Sequence, residues 1–229
     1  MTDFILPPPT PPSVAIIDSA ARFPVRRIFC VGRNYAAHAR EMGHDPNREP
    51  PFFFMKPSDT LVDDGSAIPY PPLTNNLHFE GELVVAIGKS ASNIKPEHSQ
   101  SHIWGYAIGN DLTRRDLQSE AKKLGRPWDW GKGFDRSAIC GPLHPVATIG
   151  ALDKGAIETT VNGKIRQSAD LADLIWSIPE VISILSTSVT IKPGDLIYTG
   201  TPAGIGPLIC GDICQISIEQ LGKITTTIA

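Results

Sequence analysis

Cysteine is scarce in this sequence of 229 residues: Cys30, Cys140, Cys210 and Cys214 are all it has. Thiols so few and so scattered do not build a disulfide framework at this size. No matching Cys/His pair follows Cys210 and Cys214, so they read as reduced small hydrophobes rather than half of a zinc site. That usage points to a reducing compartment, the cytoplasm. An excess of charge of one sign is also missing. Lys plus Arg number 21 against 24 Asp plus Glu, a net charge of −3, which leaves no electrostatic footprint for nucleic acid or an anionic membrane. Long apolar runs are absent too. No uncharged stretch is longer than residues 196–211, which is interrupted by two prolines and four glycines and is too broken to span a bilayer. The start, MTDFILPPPTPPS, has no basic region and no clean apolar run, so no signal peptide is expected.

Proline is the residue in excess, at 21 against roughly 11 for average usage of about 5%. Prolines break long helices, which argues against a helical bundle. With 41% hydrophobic and 20% charged residues the chain is not disordered, and a soluble globular protein is the expectation. Thirteen of the prolines fall within the first 72 residues, so residues 1–26 are set apart as a proline-rich segment ahead of one domain over 27–229. Strands are expected at 14–17, 27–32, 52–55, 78–88, 104–111, 195–199, 213–219 and 223–228. Helices are expected at 35–42, behind Asn34 as N-cap, then in a short stretch from Pro96, and at 114–124, 170–176 and 179–186. Asn162-Gly163 between alternating segments signals a hairpin with a type I′ turn. The fold class is α+β and β-rich, with short flanking helices.

The most informative stretch is His78-Phe79-Glu80-Gly81-Glu82-Leu83. In a strand Glu80 and Glu82 share one face. Two carboxylates entering an apolar strand are costly unless a cation or proton compensates. Residues 105–111 deliver a third, Asp111, at a strand end, where binding groups project. Three carboxylates with no His or Cys suit a hard divalent ion, Mg²⁺ or Mn²⁺, in place of zinc. On the helix candidate at 35–42, His38 and Glu41 stand at i and i+3 and share a face. Thr199-Gly-Thr201-Pro-Ala-Gly-Ile-Gly206 looks like a phosphate loop but lacks the Gly-Lys-Ser/Thr ending, so nucleotide binding is not expected.

Seven collinear blocks carry a resemblance: VGRNYAAHARE (31–41), FFMKP (53–57), HFEGEL (78–83), NDLTRRDLQ (110–118), KGFD (132–135), VNGKIRQ (161–167) and YTGTPAGIG (198–206). Together they resemble the fumarylacetoacetate hydrolase family, in particular its short acylpyruvate-cleaving members. The resemblance implies a mixed β-sandwich roll that dimerises, with Mg²⁺ held at Glu80, Glu82 and Asp111 and Mn²⁺ or Ca²⁺ as substitutes. It implies keto-acid substrates, acylpyruvates such as fumarylpyruvate, met in aromatic-ring catabolism. His38 and Glu41 would orient and deprotonate the attacking water, and Lys132 would stabilise the charge that develops when the carbon–carbon bond breaks. Gln118, Arg115 and Thr201 would contact substrate, although Arg115 next to Asp116 also reads as a structural ion pair. Residues 42–51 are expected to form a lid over the substrate. Arg33, Arg40, His44 and Arg48 are candidates for binding a second substrate carboxylate. Decarboxylation of oxaloacetate, isomerisation of an unsaturated keto acid, and a catalytically inactive metal-binding protein are the competing readings.

Overall fold

The computed structural model describes residues 4–41 and 49–229. The chain opens with a small hairpin, β1 (Ser13–Ala15) and β2 (Arg22–Pro24), followed by β3 (Arg27–Gly32), α1 (Ala36–Glu41) and β4 (Phe52–Lys56). Next come β5 (Leu61–Asp63), β6 (Ala67–Ile68), β7 (Leu77–Phe79), β8 (Gly81–Ile87), α2 (Pro96–Ser99), β9 (Ile103–Asp111) and β10 (Thr113–Arg114). The middle holds α3 (Arg115–Lys123), α4 (Asp129–Lys132), β11 (Ala138–Cys140), β12 (His144–Pro145) and α5 (Val146–Ile149). Then follow β13 (Ala156–Val161), β14 (Lys164–Asp170), α6 (Ile178–Ser188), β15 (Asp195–Tyr198), β16 (Gly206–Leu208), β17 (Ile213–Ile218) and β18 (Gly222–Ile228).

One eight-stranded sheet runs β4-β3-β15-β8-β9-β11-β5, with β12 added beside β9. It is mixed: β15 is parallel to β3 and β11 to β5, while the other pairs are antiparallel. Strand β8 shows why it forms the middle of the sheet. Leu83, Val85 and Ile87 point into the larger apolar core, shared with Ile157, Ile216 and Ile224 of the five-stranded sheet β14-β13-β17-β18-β6. Val84 and Ala86 point into the other, with Cys30, Ala107 and Tyr198. Alternate side chains leave a strand on opposite faces, and burial of both faces explains its unbroken apolar run. Val14 and Phe23 of the β1–β2 hairpin close the second core.

The β-rich, mixed architecture expected from the sequence is the one observed, and strand 27–32 has the expected bounds. The hairpin does turn on Asn162 and Gly163, whose φ angles of 51° and 74° are those a type I′ turn demands. Two expectations need correction. The strand at 78–88 is not continuous but breaks at Glu80, because β7 pairs with β10 and β16 in a separate three-stranded sheet. The backbone of Glu80 is satisfied locally instead: its amide donates to Asn110 Oδ1 at 3.0 Å, and its carbonyl accepts from the Asp111 amide at 2.9 Å. The helix expected at 170–176 is a single 3₁₀ turn, Leu171–Asp173, closed by a reciprocal cap between Asp170 and Asp173. Among the described residues no helix is long and apolar enough to cross a membrane.

Candidate active site

The break at Glu80 positions the site. Three elements end within reach of one another: the kink between β7 and β8 carries Glu80, the start of β8 carries Glu82, and the end of β9 carries Asp111. Their carboxylate oxygens lie within 4.8 Å of one another, and all three residues are buried.

Three buried cations meet this cluster unevenly. Lys132 Nζ donates to Glu80 Oε2 at 2.7 Å and to Asp111 Oδ2 at 2.6 Å. Arg115 pairs with Glu80 Oε1 and donates to Gln118 Oε1 at 2.6 Å. Lys56 Nζ lies 2.8 Å from Asp111 Oδ1 and donates to the carbonyls of Leu112 and Lys132. Among the described residues Glu82 receives no cation; the Gly200 amide donates to it at 2.8 Å. The electrostatics follow this partition. Burial alone would raise both glutamates, but Lys132 and Arg115 hold Glu80 far below the ordinary carboxylate range. Burial, together with the negative charges of Asp111 and Glu80, pushes Glu82 well above it. Burial lowers Lys132, yet Asp111 and Glu80 outweigh it and the net shift is upward.

Glu82 is therefore the one carboxylate of the three without a cationic partner among the described residues, and Asp111 Oδ1 has no aligned hydrogen-bond donor. Three hard oxygen donors without nitrogen or sulfur match Mg²⁺, Mn²⁺ or Ca²⁺. The donor set fits a divalent metal.

His38, Glu80, Glu82, Arg115, Gln118, Lys132 and Thr201 line one cavity of about 30 Å³. His38 Nδ1 stands 3.2 Å from Glu41 Oε2, and the Gly204 amide donates to the same carboxylate at 3.1 Å. Burial lowers the His38 pKa, while Glu80 and Glu41 oppose the shift. Asn34 does not serve α1 as the expected cap. Its side-chain amide ties β3 to the later loops, donating to the carbonyls of Thr199 and Trp176. The Thr201 hydroxyl donates to the Gly81 carbonyl at 2.9 Å and accepts from Gln167 Nε2 at 2.7 Å. Arg115 and Asp116 form no ion pair with each other: Asp116 accepts from Thr74 Oγ1 and the amides of Asn75 and Leu117. The lid expected over 42–51 lies, for residues 42–48, outside the described residues.

Residues 27–229 match the model of the fumarylacetoacetate (FAA) hydrolase C-terminal family. The chain belongs to that family. It is 42% identical over 184 residues to a fumarylpyruvate hydrolase from a Ralstonia species, covering 80% of this chain and 95% of the relative. It is 40% identical over 200 residues to the human mitochondrial oxaloacetate tautomerase FAHD1, covering 87% and 90%. The fold superposes on the crystal structure of fumarylpyruvate hydrolase from Pseudomonas aeruginosa in complex with Mn²⁺ and pyruvate. There the TM-score is 0.97 at 48% identity, over 99% of each chain.

Within this fumarylacetoacetate hydrolase fold, the sequence reading missed Lys56, Asn110 and Gln167. All three lie inside matching blocks, but the resemblance assigns them no role. A lysine closing the apolar strand Phe52–Lys56 just before Pro57 was the available signal, since such a side chain is buried only when paired. Asn110 and Gln167 offered none. Both act through the folded backbone, as acceptors for the amides of Glu80 and Gly81.

Proposed function

We propose that this protein hydrolyses the carbon–carbon bond of an acylpyruvate, a 2,4-dioxo acid such as fumarylpyruvate, to pyruvate and a carboxylic acid. The observation that carries the reading is one cavity lined by Glu80 and Glu82 of the carboxylate cluster, by Lys132 and by the His38 that contacts Glu41. Kinship to two fumarylpyruvate hydrolases, at 42% and 48% identity, supports it. Glu80, Glu82 and Asp111 would hold the divalent metal. Once bound, the ion supplies Lewis-acid polarisation of the substrate's α-keto carboxylate oxygens.

The remaining roles fall to the protein's own side chains. Gln118 Oε1 is occupied by Arg115, which leaves Gln118 Nε2 to meet the substrate. The Thr201 hydroxyl hydrogen is committed to Gly81, so the Thr201 backbone amide is the donor for the substrate carboxylate. With Nδ1 donating to Glu41, His38 keeps its Nε2 lone pair and removes a proton from water. The oxygen adds to the C4 carbonyl, the C3–C4 bond breaks, and its electron pair moves to the pyruvate fragment as an enolate. The Lys132 ammonium offsets that developing negative charge. Protonation at C3 completes pyruvate, so one water is consumed and atoms balance. Pyruvate release from fumarylpyruvate, with loss of that release in His38→Asn and Lys132→Met, tests the reading.

A second reading rests on the 40% identity to an oxaloacetate tautomerase. His38 and Glu41 would then move a proton between carbons and oxygens of a β-keto acid without adding water. The products separate the two: a hydrolase releases pyruvate from fumarylpyruvate, whereas a tautomerase interconverts enol and keto oxaloacetate and cleaves no carbon–carbon bond. Mg²⁺ as the working ion, a place in aromatic-ring breakdown and a cytoplasmic setting are parts of the same proposal. The buried free thiols Cys30, Cys140 and Cys214 support a reducing compartment. A homodimer is supported by the exposed large apolar side chains Leu73, Leu124 and Trp130, which line one surface cavity. Sedimentation velocity tests it.

A further inference from the structure

Two cations beside the cluster have no carboxylate or hydrogen-bond partner among the described residues: Arg33, the residue after β3, and Lys122, in the last turn of α3. Both line the small cavity with Glu80, Glu82 and Lys132. Both also line an adjoining cavity of about 850 Å³ walled by Phe52, Phe54 and Trp128. Aromatic rings hold the two heads in place. The Arg33 guanidinium lies 5.2 Å from the centre of the Phe52 ring, and Lys122 Nζ lies 5.8 Å from that of Trp128. Phe52 and Trp128 meet edge to face at 5.2 Å.

Like charges gathered without a counter-ion are unfavourable unless an anion arrives. Lys122 registers that cost: burial lowers its pKa, and the positive charges of Arg33 and Arg115 lower it further. Arg40 is exposed and lines neither cavity. Arg126 lines the outer cavity but not the small one, while His44 and Arg48 lie outside the described residues.

The geometry points to Arg33 and Lys122 as the pair that selects an acylpyruvate whose acyl chain ends in a second carboxylate. The inference rests on the acylpyruvate reading and makes it specific. With the α-keto acid end at the cluster, the acyl chain runs past the flat faces of Phe54 and Trp128, which suit a conjugated chain. Its terminal carboxylate then meets two donors that no protein carboxylate claims, and a guanidinium fits that group through two parallel hydrogen bonds.

Two unreactive ligands of equal length test this without turnover: 2-oxoheptanedioate, with the distal carboxylate, and 2-oxoheptanoate, without it. Both are titrated calorimetrically in saturating Mg²⁺ against the full-length protein, Arg33→Gln, Lys122→Gln and the control Arg40→Gln. The wild type and R40Q should bind the dicarboxylate at least about ten-fold more tightly, a difference of about 1.4 kcal/mol. In R33Q and K122Q that gap should shrink several-fold through loss of dicarboxylate affinity. Continued binding of 2-oxoheptanoate reports an intact site. Equal affinities in the wild type, or a gap retained in both variants, overturns the proposal. A normal gap in a protein that releases no pyruvate from any acylpyruvate overturns the hydrolase reading and leaves this one standing. Pyruvate release without the gap does the reverse.

Discussion

Lys56 Nζ lies 2.8 Å from Asp111 Oδ1, and both side chains are wholly buried. An ion pair removed from water in this way is costly to break on one side, because the remaining charge has nowhere to go. Burial depresses the Lys56 pKa, and Asp111 is the main force holding it charged. Lys56→Met should therefore lower unfolding stability in EDTA by about 3–5 kcal/mol. The loss should be smaller in saturating Mg²⁺, where the ion joins Lys132 in facing Asp111. Urea denaturation under the two conditions checks it; equal losses would deny Asp111 a part in metal binding.

Glu82 invites the opposite substitution. Its folded-state pKa is raised, first by burial and then by Asp111 and Glu80. Its ionisation therefore costs stability as pH climbs above the unfolded glutamate value near 4.3. Glu82→Gln removes that cost. In EDTA the variant should melt above the wild type, by a margin that grows between pH 5 and pH 8. In Mg²⁺ the order should reverse, because the wild type gains a bound ion that a neutral amide holds poorly. Melting curves with the same order in both media would rule out Glu82 as a ligand.

As the proposed base, His38 should set the acid limb of the pH–rate profile. Burial lowers its pKa below the ordinary value near 6.5, and the neutral ring is the form that accepts a proton from water. The rate should rise with pH and reach half its plateau below pH 6.5. Glu41→Gln removes a carboxylate that raises the His38 pKa, so the limb moves to still lower pH while kcat falls by roughly 10²–10⁴-fold. The glutamine can still accept the Gly204 amide, which keeps the fold out of the comparison. A limb that stays in place would separate His38 from the reaction.

Gly131 lets α4 press against α3. A Cβ there would stand 2.9 Å from the Gln118 backbone nitrogen and 3.0 Å from its Cα. Alanine favours a helix by about 1 kcal/mol over glycine, but overpacking costs about 1–3 kcal/mol and here the obstacle is backbone. Gly131→Ala should destabilise the protein and reduce kcat, since the move displaces both Lys132 and Gln118. A stable, fully active G131A would show that the two helices have room to spare.

Much of this site is legible in sequence because its carboxylates ride on short-range signals. Glu82 follows from strand alternation in β8, and Asp111 from an apolar strand that ends in a charge. That His38 and Glu41 share a face follows from helical spacing, while their proposed role, like those of Lys132, Gln118 and Thr201, comes only from the family resemblance. What sequence alone does not reveal is set by distant pairing. The kink at Glu80 exists because β7 joins β10 and β16, segments far away in the chain, and no local pattern announces that choice. Lys56 is hidden for the same reason: its partner Asp111 is brought to it by sheet packing. The short turn at Leu171–Asp173 arises where β14 runs on as far as Asp170, so tertiary pairing overrides local helix preference there.

The central claim is cleavage of an acylpyruvate at the carboxylate cluster, and pyruvate release from fumarylpyruvate tests it most directly. The wild-type protein should release one pyruvate and one fumarate per substrate in Mg²⁺, and almost none after treatment with EDTA. Equal release in the two conditions, or consumption of fumarylpyruvate without pyruvate, would contradict the account.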